Sequence, residues 1–74
     1  MYILTKYERT RLIGLRAAQI ERGAAPLVDA TGLNTAMEIA FRELEEKVIP
    51  LIVVRTLPSG TIIKLKINEF SNIN

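Results

Sequence analysis

The stretch from Thr5 to Gly23, TKYERTRLIGLRAAQIERG, constrains the fold more than any other part of the chain. Both ends of a helix are marked in it. Thr5 followed three residues later by Glu8 is a capping box, in which the hydroxyl accepts from the Glu8 amide and the carboxylate accepts from the Thr5 amide. Gly23 suits the left-handed turn that closes a helix, and Pro26 cannot continue one. At about 100° per residue, Ile13, Ala17 and Ile20 fall on one apolar stripe. Leu12 and Leu15 project well away from that stripe, and Tyr7, Gly14 and Ala18 lie almost opposite it. Arg9 and Arg16 fall nearly in line, as do Arg11 and Arg22. Apolar residues spread right round a helix belong to helices covered on more than one side. This helix is expected to sit between its own domain and something else.

A chain of 74 residues makes one domain, spanning 1–74, and gains only a few kcal/mol from a single core. Small domains offset this with disulfides, a metal or a partner. Cysteine and histidine are both absent, which excludes disulfides and ordinary zinc sites and leaves the partner. Composition agrees: 49% of residues are hydrophobic and only four are aromatic, with a mean hydropathy of +0.20. No run approaches the ~20 apolar residues of a membrane span, and the N-terminus has no signal-peptide pattern. The expected location is intracellular, in the cytoplasm, with no membrane contact. Net charge is +2 but unevenly laid out: residues 1–28 carry +3, residues 29–46 carry −4 and residues 47–74 carry +3. That is not the one-sided basic footprint of a nucleic-acid binder.

A connection over 23–34, about eleven residues beyond Gly23, follows the helix and is long enough that part of it is expected to pack; Leu27 and Val28 are the expected anchors. A second capping box, Thr35 with Glu38, opens a helix over about 35–47. Met37, Ala40, Phe41, Leu44 and Val48 share one face of it. Glu38–Arg42 and Glu43–Lys47 are acid-first i, i+4 pairs, and Glu45 and Glu46 extend an acidic outer face. Residues 49–56 are apolar and β-branched, residues 61–67 alternate with period two, and Leu57-Pro58-Ser59-Gly60 between them has turn chemistry. A β-hairpin over about 49–67 is expected. Ile63, Leu65 and Ile67 point one way in its second strand, and Lys64 and Lys66 point the other, where they guard the edge against stray pairing. The first strand is apolar on both faces, so it leaves either a docking face or an edge that awaits a partner. The tail from Asn68 to Asn74, polar apart from Phe70 and Ile73, carries little signal. The fold class is α+β: a small two-helix core with a C-terminal hairpin, close to mainly α.

The chemistry of sites gives exclusions. Without His or Cys no Ser-His or Cys-His pair exists, and Gly14 and Gly23 lie inside and at the end of a helix rather than before one, so no phosphate loop is formed. No catalytic residue, cofactor site or metal site is expected. The chain is not expected to be an enzyme by itself.

The run Thr5–Ile20 resembles the signature helix of the omega-like small subunit of DNA-dependent RNA polymerases, in its archaeal (subunit K) and eukaryotic form. Thr5, Tyr7, Glu8, Thr10, Arg11, Ile13, Gly14, Arg16, Ala17, Gln19 and Ile20 match every fixed position of that signature. The likeness continues through Gly23-Ala24-Ala25-Pro26, Leu27-Val28-Asp29, Met37-Glu38-Ile39-Ala40, Arg42-Glu43-Leu44-Glu45, Ile49-Pro50 and the Leu57–Gly60 turn, covering about residues 4 to 70. Eukaryotic members carry a long acidic N-terminal extension. Only Met1-Tyr2-Ile3 precede the motif here, so the archaeal type is the expected closer match.

The resemblance implies a non-catalytic subunit that latches onto the largest polymerase subunit near its C-terminal portion and promotes assembly and stability of the enzyme. It would act in the cytoplasm as part of the nucleoid-associated polymerase, reaching DNA only through the complex. By that implication Arg9, Arg11 and Arg16 would give charge-assisted hydrogen bonds to the large subunit. Gln19 would bond exposed backbone, and Gly14 would admit close approach. Leu12, Leu15, Ile52 and Val54 would form apolar docking surface. Two other classes stay open: a free-standing basic module that binds nucleic acid, and a small homodimer burying the spare strand face.

Overall fold

The computed structural model describes residues 2–72. Two helices, α1 (Lys6–Glu21) and α2 (Ala36–Glu45), precede a two-stranded antiparallel sheet of β1 (Ile52–Thr56) and β2 (Ile62–Lys66), and a single 3-10 turn (Ile67–Glu69) follows. The fold is α+β, as expected.

Local chemistry sets each boundary. At the start of α1 the Thr5 hydroxyl accepts from the Glu8 amide (3.0 Å) and Glu8 accepts from the Thr5 amide (2.9 Å), the full capping box. At its end Gly23 has φ 107°, the Gly23 amide donates to Ile20 and the Ala24 amide to Gln19. That is the Schellman closure glycine permits. The second box is only half made: Thr35 accepts from the Glu38 amide, but the Glu38 carboxylate accepts from Asn34 instead. α2 also stops two residues earlier than its periodicity suggested. Lys47 adopts φ 59° and closes the helix the same way, with its amide donating to Leu44 and that of Val48 to Glu43. In the hairpin Leu57 accepts from the Gly60 amide and donates to Thr61, with Gly60 at φ 89°. This is a type I turn with a glycine bulge.

One hydrophobic core joins these elements. Leu12, Ile13 and Ala17 of α1 meet Ala40 and Leu44 of α2, with Ile49, Val53, Leu65 and Ile67 below and Leu4 and Phe70 closing the end. The tail therefore matters more than its polarity suggested: Phe70 is fully buried. Tyr2 and Phe70 form a parallel bridge, and the Asn72 side chain both accepts from and donates to the backbone of Leu4. Ile73 lies outside the described residues. Two expectations for the middle of the chain fail. Of the two expected anchors Val28 is half-buried but Leu27 is exposed, because hydrogen bonds made by the backbone of the connection rather than the Leu27 side chain hold it. Met37 and Phe41 are exposed although they share a face with buried Ala40 and Leu44, and Val48 is exposed because the helix ends before it, at Glu45. The molecule is long and thin, 44 × 24 × 17 Å, with a radius of gyration of 13.0 Å. A compact chain of this length would have about 11 Å. Such a shape leaves much apolar surface uncovered.

Candidate partner interface

The polar centre of the fold is an ion pair between the helices. Arg16 projects from α1 toward α2, where its Nε donates to Glu43 Oε1 (2.6 Å) and its Nη2 to Glu43 Oε2 (3.1 Å). Nη2 also donates to the Ala25 carbonyl (3.0 Å) and Nη1 to the Gln19 side chain (3.1 Å), while Glu43 Oε2 accepts from the Leu27 amide (3.0 Å). Arg16 is 4% exposed and Glu43 not at all. Taking two charges out of water is tolerable only when both are paired and hydrogen-bonded, as here. This corrects two readings. Arg16 holds α1, α2 and the connection together instead of offering its guanidinium outward, and Glu43 pairs with Arg16 across the fold instead of with Lys47 along the helix. Arg42 likewise turns to Glu45 and Glu46 rather than to Glu38.

The remaining expected contact residues divide. Leu12 is buried in the core and reaches a groove only as part of its floor, instead of standing out as exposed docking surface. Gln19 is half-buried beside Arg16, and Arg9 donates to the Asn72 carbonyl. Gly14 is exposed, and a Cβ built there meets nothing within 4 Å, so intradomain packing does not require the glycine. The fold brings Arg11, Leu15, Ile52 and Val54 together around a groove of about 400 Å³ between α1 and β1, with Leu12 and Val53 at its apolar floor. Leu15, Ile52 and Val54 are 52%, 49% and 56% exposed. Tyr7, missing from the expected contacts, is 68% exposed on the same wall. Its signal was present in the sequence as the residue one turn before Arg11. The Arg11 guanidinium lies 5.5 Å from the Tyr7 ring centroid and donates to its hydroxyl, with no ion-pair partner among the described residues.

One end of the groove is pinned by Arg55. Its guanidinium donates to both carboxylate oxygens of Glu8 (2.8 and 2.9 Å) and to the Ile3 carbonyl, and it stacks 5.3 Å from the Phe70 ring. The bidentate Arg55 bond, reinforced by Thr5, holds the Glu8 carboxyl down to about 2. A second apolar hollow, lined by Ile13, Leu33, Met37 and Phe41, lies on the far side against α2. Among the described residues no cluster of three metal-ligating side chains occurs, and no helix is long and apolar enough to cross a membrane.

A family model described as RNA polymerase Rpb6 matches residues 2–51, well over half of the chain. The chain belongs to the RNA polymerase Rpb6 family. It is 50% identical over 58 residues to the DNA-directed RNA polymerases I, II, and III subunit RPABC2 of Schizosaccharomyces pombe, covering 78% of this chain and 41% of that protein. It is 46% identical over 59 residues to the DNA-directed RNA polymerase subunit Rpo6 of Aeropyrum pernix (77% of this chain, 66% of that one). It is also 46% identical over 61 residues to that of Sulfurisphaera tokodaii (80% and 71%). The chain thus spans less than half the length of the fission-yeast relative. Identity over the matched stretch does not favour archaeal over eukaryotic members. The family match takes in both helices and ends at Leu51, just before the strand that forms the other wall of the groove.

Proposed function

We propose that this chain is a non-catalytic subunit of DNA-directed RNA polymerase that docks on the largest subunit, near its C-terminal portion, and promotes assembly and stability of the enzyme. The observation that carries the reading is the gathering of Tyr7, Arg11, Leu15, Ile52 and Val54 around one uncovered groove in a chain of this family. Leu15, Ile52 and Val54 supply apolar area whose removal from water is worth about 25 cal/mol per Å². Arg11 supplies a charge-assisted bond to a carboxylate or carbonyl at the rim. Arg16 contributes indirectly, by fixing α1 against α2 so that the groove keeps its shape. The chain would work wherever its polymerase works, at the nucleoid or in the nucleus, and would reach DNA only through the complex. A nucleic-acid module is less well supported, since Arg16, Arg42 and Arg55 are committed to Glu43, to Glu45 and Glu46, and to Glu8.

The test is capture of the tagged full chain from native extract at moderate and high salt, with mass spectrometry of what stays bound. The largest polymerase subunit is expected in stoichiometric amount and retained at high salt, because apolar docking lacks the steep salt dependence of phosphate contacts. Leu15→Asp with Val54→Asp should lower that recovery about tenfold or more while leaving the far-UV circular dichroism unchanged. Recovery of the chain alone, or of nucleic acid that washes off with salt, would refute the reading.

A further inference from the structure

The hairpin carries a feature that its side chains alone do not show. β1 and β2 pair with Val53 opposite Leu65 and Val54 opposite Lys64, and the Leu57 amide donates to Thr61 in the same register. Antiparallel ladders alternate between hydrogen-bonded and non-hydrogen-bonded pairs. Counting back from Leu57–Thr61, the pairs Arg55–Ile63 and Val53–Leu65 are bonded, whereas Thr56–Ile62, Val54–Lys64 and Ile52–Lys66 are not. The N–H and C=O groups of Ile52, Val54 and Thr56 therefore point away from β2, and Ile52 and Val54 line the groove. No strand pairs with that edge among the described residues. The opposite edge, on β2, presents outward groups at Ile62, Lys64 and Lys66, where the Lys66 amide is taken by the Glu69 carboxylate (2.7 Å) and two lysine side chains blunt the rest. Natural sheets guard free edges with charge in this way. The β1 edge has no such guard: its outward positions are Ile52, Val54 and Thr56.

We infer that the β1 edge takes an added strand from the protein partner, an extended acidic and apolar segment lying in the groove between β1 and α1. The inference rests on the docking reading above and states how that groove binds. Backbone bonds to Ile52, Val54 and Thr56 would extend the sheet to three strands, and alternate side chains of the added strand would rest on Leu12, Leu15 and Val53. The chemistry of the segment follows from local charge. Glu8 at the groove is neutralised by Arg55. Arg11 on the wall has no ion-pair partner, and Lys64 and Lys66 are exposed on the face that Ile52 and Val54 share. The uncompensated charge is positive, so the added strand carries carboxylates.

The experiment replaces one amide. Val54→Pro removes an outward donor that the hairpin does not use, and proline is tolerated at a strand edge where its missing N–H faces away from the ladder. Val54→Ala keeps the amide and trims the side chain. The tagged full chain, wild-type and variants, is used to capture polymerase from native extract, and amide hydrogen exchange is measured on the wild-type chain free and in the captured assembly. Strand addition predicts that Val54→Pro cuts recovery about tenfold below Val54→Ala, and that the Ile52, Val54 and Thr56 amides exchange quickly in the free chain and slowly in the assembly. Equal recovery by the two variants, with those amides unprotected, overturns strand addition and leaves the docking reading standing. Failure of the wild-type chain to capture any polymerase subunit overturns both. Should Val54→Pro not fold, the wild-type exchange alone decides.

Discussion

Replacing Glu43 by glutamine gives the sharpest test of how the fold is held. The substitution keeps size and most hydrogen-bonding capacity but removes the carboxylate that pairs with Arg16, whose guanidinium is buried with it. Breaking a buried pair by removing one partner costs about 3–5 kcal/mol, because the remaining charge is left in a poorly polarisable surrounding. A domain of this length has roughly 4–11 kcal/mol of stability in total. Glu43→Gln should therefore take the isolated chain to the margin of folding. Arg16→Met with Glu43→Leu removes both charges and should recover part of the loss. The recovery stays incomplete because the Leu27 amide and Ala25 carbonyl lose their charged partners and must turn to water. Urea unfolding followed by circular dichroism at 222 nm reads all three chains. A Glu43→Gln chain within about 1 kcal/mol of wild type would refute the reasoning and return Arg16 to the role of a partner contact.

Three further outcomes follow from the same structure. Glu8 titrates near 2 in the folded chain against an ordinary 4.5, so its contribution is present above about pH 4.5 and is lost as pH falls from there toward 2. Allowing for its contact with water, that loss is about 1–2 kcal/mol. Acid titration of stability should show it in wild type, and Glu8→Gln should flatten the slope; equal slopes would remove the Arg55 pair from the account. Phe70→Ala should cost about 3–5 kcal/mol by thermal or urea unfolding, since the ring is fully buried at the end of the core, and a neutral result would mean that the tail does not close the core. Gly14→Ala should stabilise the free chain by about 0.5–1 kcal/mol, because the added Cβ enters open space on a helix, while weakening capture of the polymerase if a partner segment passes close to the helix.

Much of this was legible in the sequence where the interactions are local. The Thr5–Glu8 box, the Gly23 closure and the Leu57–Gly60 turn each depend on residues within five positions of one another, and each forms. Helical periodicity gave the direction in which Leu15 projects but not what lies there, which is why Leu12 was expected outside and is inside. The buried pair was invisible for a related reason. Arg16 and Glu43 are 27 residues apart, and at the level of sequence a glutamate four residues before a lysine reads as a solvated surface pair. Phe70 was passed over because a polar tail offers no periodicity, although a buried ring needs none. The groove was half legible: Leu15, Ile52 and Val54 could each be seen as spare, but only the fold puts them on one surface with Tyr7 and Arg11.

The most direct measurement of the docking face is site-specific photo-crosslinking within the native assembly. A photoreactive residue at Leu15 or at Val54 reports the groove, and one at Lys47 reports a surface outside it. The account predicts adducts from positions 15 and 54 on the largest polymerase subunit, mapped by mass spectrometry to a single stretch, and a clearly lower yield from position 47. Adducts from 15 and 54 to a second copy of this chain or to nucleic acid, with none on the large subunit, would contradict it.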